Sequence, residues 1–141
     1  MINRELINPQ SIVVVGGSNN VHKPGGRLVR NLLDGKYKGE LYVVNAKEDD
    51  VQGLKSYHSV HDIPETELAI ISIPGPACPE AVDVLAKQKN VKAFIVISAG
   101  FGEETHEGAI LEEQMLKSIN EAGASLIGPN CIGLMLSLIH I

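Results

Sequence analysis

Short β-branched runs alternate along this chain with longer stretches of helical periodicity. Ser11–Gly16 (SIVVVG) carries the apolar run Ile12–Val15 and ends in glycine, which predicts a buried strand. Pro24 to Asp34 places Leu28, Leu32 and Leu33 on one face, with Gly35 at the stop, and predicts a helix. Glu40–Asn45 (ELYVVN) predicts a second strand and Leu68–Ile73 (LAIISI) a third, closed by Pro74-Gly75-Pro76. Pro79 to Lys89 suits a helix with Val82, Leu85 and Ala86 turned inward. Lys92–Ser98 (KAFIVIS) predicts a fourth strand, Gly108 to Ala122 a long amphipathic helix, and Ser125–Ile127 a short fifth strand. Ala46–Glu67 follows neither period and is assigned a small extra strand or turn.

Alternation of apolar strands with helices implies a parallel sheet covered on both faces. The expected fold class is therefore α/β: a Rossmann-like, doubly wound parallel sheet of about five strands in a three-layer α/β/α sandwich, with right-handed crossovers. Ligands of such sheets bind beyond the carboxyl ends of the strands, at the topological switch point. Small or turn-forming residues gather at those ends: Gly16-Gly17-Ser18, Asn45-Ala46-Lys47, Pro74-Gly75-Pro76, Ser98-Ala99-Gly100-Phe101 and Gly128-Pro129-Asn130-Cys131. Residues 1–135 read as one binding domain. Residues 136–141 (LSLIHI) are apolar for a terminus, and read either as the start of a truncated element or as non-native.

Composition narrows the function. Apolar residues make up 44% and charged residues 21%, ordinary for a globular domain, and aromatics only 4% with no Trp, so the interior is aliphatic. The net charge of −5, without a basic cluster longer than two residues, argues against nucleic acid as the main partner. No apolar run approaches the roughly 20 residues that span a bilayer, and MINRELINPQ lacks the apolar stretch of a secretory signal. A cytoplasmic protein without a membrane partner is expected. Cys78 and Cys131 lie far apart and form no CxxC, so neither a zinc site nor a disulfide framework is expected.

The chemistry sits in the loops. Val15-Gly16-Gly17-Ser18-Asn19-Asn20 follows the first strand, where glycine lets backbone N–H groups approach a phosphate and the next helix adds its positive end. The dinucleotide fingerprint GxGxxG fails from Gly16, because Ser18 and Val21 stand where its later glycines belong. The second strand ends Asn45-Ala46-Lys47, without the acidic residue that holds an NAD ribose. Lysine there suits a phosphorylated ribose, either the 2′-phosphate of NADP or the 3′-phosphate of coenzyme A. Glu48, Asp49 and Asp50 follow directly, and could pair with Lys47 instead.

These residues carry a family resemblance. Gly16-Gly17-Ser18 followed by Gly25, then RNLL, VVNAK, GLKSY, IPG, SAGFGE and GPNCIG occur in order over residues 8 to 135. The chain resembles the CoA-binding domain of NDP-forming acyl-CoA synthetases, the group of ADP-forming acetate–CoA ligase and the succinyl-CoA synthetase α subunit. The resemblance implies that Gly16, Gly17 and Ser18, with Asn19, Asn20 and Gly25 of the following loop, receive the CoA pyrophosphate. Lys47 would face the phosphorylated adenosine, and Asn45 would belong to the CoA-binding residues. Ile73, Pro74, Ser98, Ala99 and Gly100 would line the pantetheine path, and Asn130 and Cys131 would lie near the reactive centre. Ala46 departs from the family, where many relatives carry proline, and Gly17 stands where ligases often have alanine.

The family's reaction makes an acyl-CoA from a carboxylic acid, CoA and a nucleoside triphosphate. Its phosphorylated histidine belongs to a following domain and its nucleotide site to an ATP-grasp domain, in an enzyme that is commonly oligomeric. His22, His58, His61, His106 and His140 match no such motif and read as surface or loop residues. Cys131 shows no histidine partner in the sequence, Cys78 reads as a packing residue, and Glu103 and Glu104 as capping or solvated groups. The fragment is expected to bind CoA without turnover, and no catalytic residue is assigned. Two other readings stay open: a stand-alone CoA-binding or regulatory domain, and an NADP-binding Rossmann domain.

Overall fold

The computed structural model describes residues 9–35, 37–97 and 106–127. Among the described residues seven strands form one sheet: β1 (Ser11–Val15), β2 (Glu40–Val44), β3 (Asp50–Val51), β4 (Leu54–Tyr57), β5 (Leu68–Ile71), β6 (Ala93–Val96) and β7 (Ser125–Ile127). The α-helices among the described residues are α1 (Pro24–Asp34), α2 (Cys78–Gln88) and α3 (His106–Glu121). The strand order is β3-β4-β2-β1-β5-β6-β7, and every pairing is parallel except β3 with β4. The chain winds outward from β1 to β2 and β4, then crosses back to lay β5 on the other side of β1. The switch point therefore lies between β1 and β5.

The strand residues alternate between two cores. Val13, Val15, Ala69, Ile71, Phe94 and Val96 face α2 and α3, meeting Val82, Leu85, Met115 and Ile119. Ile12, Val14, Val43, Leu68, Ile70 and Ile95 face α1, meeting Leu28, Val29 and Leu32. A strand buried on both faces needs apolar residues at every position, which is why SIVVV and LAII read as unbroken runs. Each such side chain taken fully from water stabilises the fold by about 1.5–3 kcal/mol. The doubly wound α/β expectation is met, with α1 on one face and α2 and α3 on the other.

All of the about five expected strands are present, and the segment expected to hold a small extra strand or turn adds to them. Two strands come from the irregular segment after β2, which folds into a β3–β4 hairpin at the sheet edge and a 3₁₀ turn over Val60–Asp62. The hairpin turns on Gln52 (φ +51°) and Gly53 (φ +90°), both left-handed. Such a turn usually carries Asn-Gly or Asp-Gly. With Gln-Gly in that place and a strand of only two residues before it, the sequence pattern is faint. α2 also begins one residue earlier than expected, at Cys78, whose side chain is buried as predicted, with Sγ 3.6 Å from the Ile73 and Pro74 carbonyl oxygens. Among the described residues no helix is long and apolar enough to cross a membrane.

Candidate functional site

The carboxyl ends of β1, β2 and β5 open into a cleft of about 590 Å³, a size suited to a small-molecule ligand. Gly16, at the end of β1, has φ +94°, and a Cβ there would lie 2.1 Å from the Ser72 carbonyl oxygen. Only glycine allows β1 to turn so closely over the end of β5. Gly25 permits the matching approach from the helix side, since its Cβ would sit 2.0 Å from the Gly16 carbonyl oxygen. The first turn of α1 therefore rests directly on the glycine turn.

That geometry leaves donors without acceptors. Among the described residues, nothing accepts a hydrogen bond from the backbone N–H of Gly17, Ser18, Asn19, Gly25 or Gly26. α1 has no side-chain N-cap bond and no acidic residue in its first turn. A helix start usually satisfies its orphan N–H groups with a Ser, Thr, Asp or Asn cap. Here Lys23-Pro24-Gly25-Gly26 leaves them available, beside the positive end of the helix dipole. A nest of unpaired amides with a cationic side chain at its margin is chemically an anion site.

The loop's carbonyls, by contrast, are tied. Asn45 Nδ2 donates to the Gly17 carbonyl oxygen at 2.9 Å, and Gln52 Nε2 to that of Ser18 at 2.8 Å. In a trans peptide the following N–H points the opposite way. Asn45 also anchors its own turn, since its Oδ1 accepts from the backbone N–H of Lys47 at 2.9 Å and of Glu48 at 3.0 Å.

Of the residues expected from sequence, Gly16, Gly17, Ser18, Asn45, Lys47, Ile73 and Pro74 all line this cleft. The Lys47 side chain is exposed and, among the described residues, makes no ion pair. The acidic residues after it go elsewhere: Asp49 pairs with His58 (Nε2–Oδ1 2.7 Å), and Asp50 accepts from the Gly53 N–H at 3.3 Å. Asn19, Asn20 and Gly25 stand in the same loop and first helical turn, but their side chains or Cα do not line the cleft. Asn19 is bonded to the β3–β4 hairpin, and Asn20 Oδ1 accepts from the His22 N–H at 3.0 Å. Ser98, Ala99, Gly100, Asn130 and Cys131 lie outside the described residues.

Further lining residues come from segments without a readable pattern. Lys23 lines the cleft from the start of α1, and Ser59, Val60 and His61 from the 3₁₀ turn. His58 and His61 are exposed, as expected, yet they stand on the cleft wall. Among the described lining residues, Glu80 is the acidic one.

The fold is of the doubly wound α/β class, and its switch point presents amides without acceptors and a lysine without an ion pair among the described residues. Sequence comparison specifies it further: residues 10–137 match the family described as CoA binding domain, and this chain belongs to that family. It is 40% identical over 132 residues to the alpha subunit of the ADP-forming acetate–CoA ligase II of Pyrococcus furiosus, covering 92% of this chain and 28% of the relative. It is 38% identical over 133 residues to the ADP-forming acetate–CoA ligase II of Archaeoglobus fulgidus, covering 94% of this chain and 20% of that one. A crystal structure from Pyrococcus horikoshii OT3 matches with a TM-score of 0.85 at 37% identity, over 99% of this chain and 33% of its own. The chain thus corresponds to between a fifth and a third of each of these larger proteins.

Proposed function

We propose that the cleft holds coenzyme A and supplies the CoA site of an NDP-forming acyl-CoA synthetase. The unpaired amides of Gly17, Ser18 and Asn19, with the start of α1, receive the pyrophosphate. Lys47 meets the 3′-phosphate of the adenosine, and Asn45 holds the turn that presents it. Pantetheine runs past Ile73 and Pro74; the resemblance adds Ser98, Ala99 and Gly100 to its path and Asn130 and Cys131 near the reactive centre. The observation that carries this reading is the cluster of amides over the switch point, without acceptors among the described residues, next to a lysine without a carboxylate partner among them.

The chain's own residues bind and orient. In the proposed whole enzyme a carboxylic acid, CoA and a nucleoside triphosphate give acyl-CoA, nucleoside diphosphate and phosphate. A phosphohistidine domain and an ATP-grasp domain supply the phosphoryl chemistry, in a cytoplasmic, oligomeric assembly. The alignment with the alpha subunit of an acetate–CoA ligase supports this arrangement. Titrating the purified chain calorimetrically with CoA, dephospho-CoA, NADP and NAD tests it. CoA binding at least tenfold tighter than dephospho-CoA (about 1.4 kcal/mol), and neither NAD nor NADP binding comparably, is the expected order. NADP binding more tightly than CoA would overturn the assignment in favour of a dinucleotide domain.

A further inference from the structure

Gln52 carries two local costs at one position. Its φ of +51° belongs to the left-handed region that favours glycine or asparagine. Its Oε1 is buried with no hydrogen-bond partner among the described residues. Strain of this kind persists where the surrounding structure fixes it, and it concentrates at functional sites. The two-residue turn demands a positive φ at its first position, which asparagine or aspartate usually meets, so it is the choice of glutamine there that its side-chain bonds must explain.

The same side-chain amide reaches two segments. Gln52 Nε2 donates to the carbonyl oxygens of Ser18 at 2.8 Å and Gly26 at 2.9 Å. It therefore joins the glycine turn to the first turn of α1, the two segments that carry the acceptorless amides. Asn19 completes the link from the loop side: its Oδ1 accepts from the Gln52 N–H at 2.7 Å, and its Nδ2 donates to the Asp50 carbonyl oxygen at 2.9 Å. The edge hairpin is thus bonded to the loop through side chains at both ends of the contact.

We propose that Gln52, held in a strained turn and locked to Asn19, is a positioning residue that fixes the phosphate-binding loop before ligand arrives. It need not touch the ligand. By anchoring the Ser18 carbonyl it sets the direction of the Asn19 N–H, and by anchoring Gly26 it holds the helix start against the loop. Preorganised donors bind an anion without the entropic cost of ordering them on association. The inference rests on the CoA reading above for the identity of the anion, but the brace itself is a property of the unliganded chain.

Gln52→Gly tests this directly, because glycine suits the left-handed backbone and removes only the side-chain bonds. The 141-residue chain carrying it is expected to unfold at a temperature no lower than wild type. It should bind CoA and dephospho-CoA at least tenfold more weakly, and by the same factor, since both share the pyrophosphate. Asn19→Ala, which removes the bonds to the Gln52 N–H and the Asp50 carbonyl oxygen but keeps the Gln52 side chain, should weaken both ligands in the same way. Backbone ¹⁵N order parameters at Gly17–Asn19 in the unliganded protein should fall from about 0.85 toward 0.6 in Gln52→Gly. Affinity within twofold of wild type in both variants, or unchanged order parameters, would overturn the proposal. So would affinity lost only together with a lower unfolding temperature, which is the mark of a merely structural role. Should wild type itself not bind CoA, the functional reading fails, while the order parameters still decide the brace.

Discussion

The two ends of the parallel sheet are built from the same strands and treat their polar groups in opposite ways. At the amino end the groups are closed against one another. Gln10 N–H donates to Glu67 Oε1 at 3.1 Å, Glu67 N–H to Ser11 Oγ at 2.9 Å, and Tyr37 Oη to the Pro9 carbonyl oxygen at 2.7 Å. Lys92 and Ala93 both donate their N–H to the Glu67 carbonyl oxygen at 3.2 Å. At the carboxyl end, the amides after β1 and at the start of α1 are left without acceptors among the described residues. Unmade hydrogen bonds are costly when buried, so a protein keeps a set of them aligned where a ligand can complete them. One end of the sheet seals the fold, and the other is arranged for binding.

The largest expected effect comes from closing the open end. Gly16→Ala forces a Cβ into the Ser72 carbonyl at a backbone angle suited to glycine. It should lower stability by about 2–4 kcal/mol and abolish measurable CoA binding, as read by urea unfolding and calorimetry. Retained affinity at wild-type strength would mean that the glycine turn is not where the phosphates sit.

Lys47→Ala should separate binding from stability. The side chain is exposed and unpaired among the described residues, so the unfolding midpoint should not move. CoA affinity should fall about tenfold, roughly 1.4 kcal/mol, and dephospho-CoA affinity should stay the same. An equal loss for both ligands would remove the 3′-phosphate role while leaving the fold assignment intact.

Tyr37→Phe probes the sealed end, with the reverse signature. Losing the bond to Pro9 should cost about 1 kcal/mol of stability and leave CoA affinity unchanged. Burial, reinforced by the nearby Glu67 and Glu40 carboxylates, pushes the Tyr37 phenol up to about 12. The folded chain then keeps a proton that the unfolded chain gives up near pH 10. The corresponding stability is complete below pH 10 and is lost as pH rises toward 12. Urea midpoints over that range should fall less steeply in Tyr37→Phe than in wild type.

The smallest effect is expected away from both ends, where α2 meets α3. Hydrogen bonds from Lys87 and Ser118 to Asp83 hold its carboxyl below the usual value, against a smaller opposing effect of burial. Its contribution to stability is present above pH 3.8 and is lost as pH falls below that. Asp83→Asn should slightly flatten the acid side of the stability profile without touching ligand affinity. A measurable change in CoA binding would show that the two regions are coupled.

Much of this contrast can be read in the sequence, for a physical reason. Strands buried on both faces must be apolar throughout, so SIVVVG, LAIISI and KAFIVIS announce themselves, and the glycines and lysine at their ends mark the rim. The β3–β4 hairpin did not announce itself because its strands are short and lie at the sheet edge, where only one face is buried and Gln replaces the usual first turn residue. Asn19 and Asn20 are recognisable as loop residues, but their sequence does not say which atoms serve which partner. Asn19 directs its side-chain amide to the hairpin, and only its backbone N–H remains for a ligand. Gln52 has no local signal at all: its importance comes from contacts 34 and 26 residues away.

Amide chemical shifts followed by NMR as CoA is added test the contrast between the two ends most directly. Large shifts at Gly17, Ser18, Asn19, Gly25 and Gly26, with Gly39, Glu67 and Ala93 unmoved, are the expected outcome. Saturating CoA that leaves the glycine-turn amides in place, or shifts both ends alike, would contradict the account.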